Sequence, residues 1–131
     1  MDIRRFDLDA QGLARVLGEL EAKILEVVWS RGRVTVKDVT DALGPQTNVK
    51  TVMTVMNRMV EKECLRRQRS GRAFYYESAT DREIFMAQVA RRVMAGLMTD
   101  FRTPTLAHLI DDADPEQLAE LEALIRSRRG D

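Results

Sequence analysis

The sequence predicts a mainly α-helical fold with one small β-wing. Three observations carry that expectation: apolar residues recur at helical spacing in successive stretches, capping patterns punctuate them, and one pair of short β-prone segments flanks Gly71. The first helix runs from Leu17 to Ser30, with Leu17, Leu20, Ile24, Val27 and Val28 on one side and Glu19, Lys23 and Glu26 between them. Trp29 closes it and Gly32 is its stop. Val34 stands as a single extended residue able to pair with a distant hairpin. Thr35-Val36-Lys37-Asp38 has capping-box spacing, in which hydroxyl and carboxylate each satisfy an orphan amide. A short helix through Val36, Val39 and Leu43 follows and ends at Gly44-Pro45.

Thr47 or Asn48 caps a third helix, whose buried face is Val52, Val55, Met56, Met59 and Val60. Lys50, Thr51, Thr54, Asn57, Arg58 and Glu61 are then outward or flanking. Met53, Met56 and Met59 read as core filler. Two short strands, about residues 65–68 and 73–77, are joined by Arg69-Ser70-Gly71-Arg72, where Gly71 tolerates positive φ. Phe74, Tyr75 and Tyr76 alternate like a strand and are expected to pack. The order helix, short strand, helix, helix, strand, turn, strand is that of a winged helix-turn-helix.

Thr80-Asp81-Arg82-Glu83 is a second capping box, opening a helix that presents Ile84, Phe85, Val89, Val93, Met94 and Leu97. Thr103-Pro104 and Asp114-Pro115 each offer an N-cap followed by proline at the first helical position. Leu106, Leu109 and Ile110 lie on the helix started by the first, and Leu118, Leu121, Leu124 and Ile125 on that started by the second. Three short helices cannot close a core among themselves. Their stripes need a partner, and a second copy of the chain is the simplest one.

At 131 residues and 15.0 kDa, with 44% hydrophobic content, the chain suits one compact domain or a small domain with an accessory region. A chain of this size buries about two thirds of its unfolded surface. Cys64 is the only cysteine, so no intramolecular disulfide can form and a reducing cytoplasm is the expected compartment. The opening residues have no apolar core of signal-peptide length, and no run approaches the ~20 residues of a membrane span.

The formal net charge of +0 conceals an uneven distribution. Between Thr47 and Tyr76 the cations Lys50, Arg58, Lys62, Arg66, Arg67, Arg69 and Arg72 face only Glu61 and Glu63, a local +5. From Met98 onward the balance is −4. A basic helix followed by a basic hairpin is a surface for a polyanion. The major groove of duplex DNA accepts an α-helix. Thr51 and Thr54 can meet a thymine methyl, a base edge or a phosphate, and Lys50 can reach guanine acceptors or a phosphate. The helix N-terminus around Asn48 adds amide donors. Arg58 lies further on, where it clamps the backbone, and Arg69 and Arg72 around Gly71 sit at the tip for a flanking phosphate or the minor groove.

The runs Leu17-Gly18-Glu19-Leu20-Glu21, Trp29, Lys50-Thr51-Val52-Met53-Thr54-Val55-Met56-Asn57-Arg58-Met59 and Gly71-Arg72-Ala73-Phe74-Tyr75-Tyr76 resemble the BlaI/MecI/CopY family of bacterial repressors. The resemblance covers the chain from about Leu17. It implies a dimer on a palindromic operator that blocks transcription, with DNA contacts at Lys50, Thr51, Thr54, Arg58 and the wing. It also implies dimerisation through the C-terminal leucine helices, and an inducing protease or sensor as a further partner. The copper-responsive members carry paired cysteines near the C-terminus; this chain has none there, and Cys64 with His108 cannot build a metal site. The β-lactam-responsive members are cleaved at an Asn-Phe bond in the dimerisation region. Here His108-Leu109 falls nearest by position and Asp100-Phe101 by chemistry, and neither reproduces that bond.

The expected organisation is an N-terminal extension (1–16), a winged-helix DNA-binding domain (17–79) and a helical dimerisation region (80–131). A frayed terminus is expected for the extension, with a DNA-contacting arm or an added helical contact through Arg4, Arg5 and Phe6 as alternatives. An enzyme has no triad, metal cluster or phosphate-binding glycine loop behind it, and no cofactor is expected. The competing reading is a winged-helix protein-interaction module that does not touch DNA.

Overall fold

The computed structural model describes residues 3–130. The chain divides into two compact units, Met1–Ala90 and Arg91–Asp131. The first holds α1 (Glu19–Arg31), α2 (Val36–Leu43), α3 (Val49–Glu61), an antiparallel hairpin of β1 (Leu65–Ser70) and β2 (Ala73–Ser78), and the start of α4 (Arg82–Asp100). The second holds the rest of α4, then α5 (Arg102–Asp111) and α6 (Pro115–Arg129). This is the mainly α winged helix-turn-helix arrangement with helices following the wing.

Local chemistry sets the boundaries of α1–α3. Glu21 accepts from the Gly18 amide at 3.1 Å and so opens α1, while Gly32 closes it at φ +86°. The Thr35–Asp38 box is reciprocal, with Asp38 N–H donating to Thr35 Oγ1 at 3.1 Å and Thr35 N–H to Asp38 Oδ2 at 2.9 Å. Asn48 Oδ1 caps α3 by accepting from the amides of Lys50 (2.8 Å) and Thr51 (3.2 Å). At the far end Cys64 N–H reaches Met59 O and Glu63 N–H reaches Val60 O, a Schellman turn with Glu63 at φ +65°. That turn aims the chain from α3 into β1.

The hairpin is longer and its loop tighter than the residue pattern indicates. The ladder runs from Leu65↔Ser78 to Ser70↔Ala73, leaving a two-residue loop of Gly71 and Arg72 with Gly71 at φ +64°. A positive φ at the first loop position suits the right-handed twist of the flanking strands. Val34 adds the expected isolated bridge, exchanging both backbone hydrogen bonds with Tyr76 (2.9 and 2.7 Å).

One core fills the first unit: Ile24, Leu25 and Val28 of α1, Val39 of α2, Val52, Met56 and Met59 of α3, then Leu65, Tyr76 and Phe85. Trp29 joins the hairpin to α4. Its indole N–H donates to Ser78 Oγ (2.8 Å) and Thr80 O (3.0 Å), and its ring meets Phe85 edge-on at 5.4 Å.

Three local expectations are corrected. Among the described residues of the N-terminal extension, Ile3, Leu13 and Val16 are buried in the same core, and Arg15 holds the carbonyls of Asp7 and Leu8 at 3.3 and 3.0 Å. Ile3, Phe6, Ala10, Leu13 and Leu17 do recur at helical spacing, yet only Gly12–Arg15 forms a short 3-10 turn, so contact with a core built elsewhere decides which of them are buried. At α4 the cap is Asp81, whose Oδ1 accepts from Ile84 N–H at 2.8 Å; the Thr80 carbonyl is engaged by Trp29 instead. At α5 the helix starts at Arg102 with Phe101 as N-cap, so Pro104 sits third in the helix. Proline is tolerated there because the first amides of a helix have no intrahelical acceptor.

α6 begins as expected, with Asp114 Oδ1 accepting from Gln117 N–H at 2.8 Å and Pro115 first. None of the described residues from Arg91 onward is buried.

Met56→Ala, which opens a cavity at a fully buried side chain, should destabilise the first unit by about 2–5 kcal/mol in a urea titration. Thr35→Ala should cost about 1 kcal/mol by losing the α2 cap. The Asp38 carboxyl is held below its ordinary value of 3.8, first by the Thr35 backbone amide and then by its hydroxyl. A lowered carboxyl stabilises fully above its unfolded value and loses that contribution as pH falls through the folded one. Asp38→Asn should therefore flatten the stability profile below about pH 4, as read by thermal melts across that range.

Candidate nucleic-acid interface

α3 has two faces because its apolar residues recur on one arc. Val52, Met56 and Met59 point into the core with Val55 and Val60 partly covered, which leaves Lys50, Thr51, Thr54 and Arg58 in solvent. Lys50 and Thr54 stand one turn apart in the same row. Thr54 Oγ1 donates its proton to Lys50 O at 2.9 Å. The hydroxyl is thereby fixed as an acceptor, beside an outward methyl group. Asn48 is exposed at the head of the helix, where its oxygen already occupies two of the orphan amides. Those amides are therefore unavailable to a phosphate, and what Asn48 offers outward is its own NH₂ group.

The hairpin is tied to α3 by a contact that sequence reasoning did not single out. Asn57 Oδ1 accepts from Tyr76 OH at 2.7 Å and from Arg67 Nη1 at 3.0 Å. Tyr76 spends both backbone groups on Val34, so the Arg67↔Tyr76 pair across the hairpin is of the non-hydrogen-bonded type. Side chains of such a pair approach most closely, which is why both reach one carboxamide. Asn57 beside Tyr76 could have been flagged only by knowing that a helix residue faces a strand residue 19 positions later.

The wing's cations are held in stacks. Arg67 and Arg69 lie over the Phe74 ring at 4.9 and 5.7 Å, and Arg69 Nε donates to Gly71 O at 3.1 Å. On the other face of the hairpin Arg33 covers Tyr75 at 4.2 Å. Arg72 is exposed at the tip. Phe74, expected to pack, is 43% exposed with arginine as its cover.

Two residues change sides relative to expectation. Lys62 contributes to the +5 window but turns toward α1, pairing with Glu21 Oε2 at 3.3 Å with both side chains largely covered. The outward positive charge is therefore Lys50, Arg58 and the arginines of the hairpin. Met53, read as core filler, is 46% exposed on the outer half of α3. Around the helix it stands about 60° from the buried Met56, past the edge of the buried arc.

In the C-terminal unit, Leu97, Leu106, Leu109, Ile110, Leu124 and Ile125 are exposed, and Val93, Leu118 and Leu121 half-buried. His108, Leu109, Ala113, Leu121 and Leu124 line a shallow apolar groove on α5 and α6. Among the described residues no group of three His, Cys, Asp or Glu side chains could hold a metal ion, and no helix is long and apolar enough to cross a membrane.

Against known proteins, the model of the penicillinase repressor family matches residues 17–127. The transcriptional regulator BlaI of Mycobacterium tuberculosis is 32% identical, over 82% of this chain and 86% of that protein. A 16.5 kDa protein of Latilactobacillus sakei is 28% identical, over 82% of this chain and 77% of that one. Among solved structures, the Bacillus licheniformis BlaI monomer in complex with the blaP half-operator superposes with a TM-score of 0.45 at 23% identity, covering 51% of this chain and 84% of that one.

Asn57→Ala should destabilise the first unit by about 1–3 kcal/mol, because it leaves the buried Tyr76 hydroxyl without its acceptor. Combined with Tyr76→Phe, thermal melts should show a coupling of about 1 kcal/mol. Strict additivity of the two would contradict a working hydrogen bond between them.

Proposed function

The chain belongs to the penicillinase repressor family, whose members are DNA-binding transcriptional repressors and not enzymes, and from that premise we propose that it acts as a homodimer gripping a palindromic operator. The observation that carries the proposal is the joint surface of α3 and the wing. A polar and basic helix face stands beside a hairpin whose arginines are prearranged by Phe74 and Asn57. Prearranged cations lose less side-chain freedom on binding phosphate.

Within that reading Lys50, Thr51 and Thr54 face base edges, Arg58, Arg69 and Arg72 hold phosphates, and Asn48 sets the helix entry while offering its NH₂ to the backbone. Residues 17–79 act as the DNA-binding domain. Residues 80–131 act as the dimerisation region, pairing Val93, Leu97, Leu106, Leu109, Ile110, Leu118, Leu121, Leu124 and Ile125 with the second copy. Support comes from the exposure of Leu97, Leu106, Leu109, Ile110, Leu124 and Ile125, since an isolated chain would leave this apolar set in water. Two-fold symmetry then sets the two recognition helices on half-sites about one helical turn, or a multiple of it, apart. The protein works in the cytoplasm, where its operator lies, with an inducing sensor or protease as a further partner.

Selection from a random duplex pool should return a palindrome whose affinity falls steeply with salt. A pool that yields no preferred duplex would favour the interaction-module reading. Arg72→Ala should weaken all sequences alike and lower the log–log salt slope by about 2 for a dimer. Thr54→Val should change the selected base at one position per half-site, a discrimination of about 1–3 kcal/mol. Sedimentation of the full chain at micromolar concentration should show a dimer; a monomer there would remove the dimeric reading.

A further inference from the structure

Met53 is 46% exposed and Val49, four residues earlier on the same flank of α3, is 51% exposed. One exposed apolar side chain needs no explanation. Two at i and i+4 form a continuous edge, here running along the helix toward Asn57 and bordered by Lys50 and Thr54. The rest of the outward face is polar or basic, so the edge is set within a surface complementary to a polyanion. A duplex presents one apolar group in its major groove, the C5-methyl of thymine; its other base-edge groups there and its phosphates form hydrogen bonds or ion pairs. A valine cannot answer those polar groups, and a thioether sulfur offers them only a weak acceptor.

We propose that Val49 and Met53 form an apolar reading edge that selects thymine methyl groups in the operator, beside the polar readers Lys50 and Thr54. The inference rests on the DNA-binding reading above. Val49 is the first residue of α3, the end that meets base edges when a recognition helix enters the groove. Its branched side chain is stiff, so it reads one fixed place. Met53, one turn deeper, has a flexible thioether that follows the methyl wherever the neighbouring step sets it. Specificity of this kind adds to hydrogen-bond readout without adding charge, and leaves the salt dependence to the arginines.

The test uses the full chain and its preferred duplex, resynthesised with deoxyuridine at one thymine at a time. Deoxyuridine removes only the methyl group and preserves pairing. Anisotropy titrations with the wild-type chain should show affinity falling about fourfold at one or two thymines per half-site, the worth of one buried methyl-sized group. Met53→Gln keeps the side-chain length and replaces its apolar end. It should bind the thymine and uracil duplexes equally at the thymine it reads, with an unchanged salt slope and circular dichroism spectrum. Val49→Ser, which removes both methyl groups of the valine, should do the same at a neighbouring thymine. The proposal falls if the wild type selects a duplex yet ignores uracil throughout, or if both variants keep every wild-type penalty. Failure to select any duplex would overturn the DNA-binding reading, and this inference with it.

Discussion

The hydrogen bond from Tyr76 to Asn57 is the contact on which the arrangement of helix and wing depends. Tyr76 gives its backbone N–H and C=O to Val34 and its hydroxyl to Asn57. One residue thus joins the short extended segment before α2, the second strand of the hairpin and the exposed shoulder of α3. Because its backbone is committed to Val34, its side chain sits close to that of Arg67, and both converge on the same oxygen. The hydroxyl belongs to a buried side chain, so breaking this bond would strand a polar group away from water. The distance between recognition helix and wing is therefore fixed by packing and hydrogen bonding inside the protein, before any DNA is present.

The two arms divide the work by chemistry. α3 carries one strong cation in its first turn, short hydroxyl side chains and an apolar flank, the set proposed to meet base edges. The hairpin carries Arg67 and Arg69 stacked on Phe74, prearranged cations proposed to meet phosphates. Lys62 falls outside this division, since its pairing with Glu21 ties the end of α3 to the start of α1. The same Glu21 accepts from the Gly18 amide. A charge that looks like part of the binding surface is thus a strut of the scaffold. A near-neutral chain achieves directional attraction for DNA by segregating charge, with the compensating acids concentrated after Met98.

The C-terminal unit obeys a different constraint. Its three helical segments are short, and none of its described residues reaches burial. Three helical segments of this size have too little interior to cover their own leucines. A second copy would supply the missing surface, and stability and association would then be linked through protein concentration. Repression and its release would share the same interface, since anything that weakens pairing also separates the two recognition helices.

Much of this was legible in the residues. Helices and their caps are local, set within about one turn by the spacing of apolar side chains and by single side chains bonding nearby amides. Thr35, Asn48 and Asp114 therefore mark their helices in the sequence, Gly32 marks the end of its helix, and Gly71 marks the turn. The basic window and the outward row of Lys50, Thr54 and Arg58 follow from composition and period alone. Other features depend on where distant segments come to rest. The burial of Ile3, Leu13 and Val16, the meeting of Asn57 with Tyr76, the capture of Lys62 by Glu21 and the exposure of Met53 are all of that kind. A period fixes the direction in which each side chain points relative to its neighbours. It does not say how wide an arc the rest of the protein will cover, and at α3 the covered arc takes in Met56 and stops short of Met53.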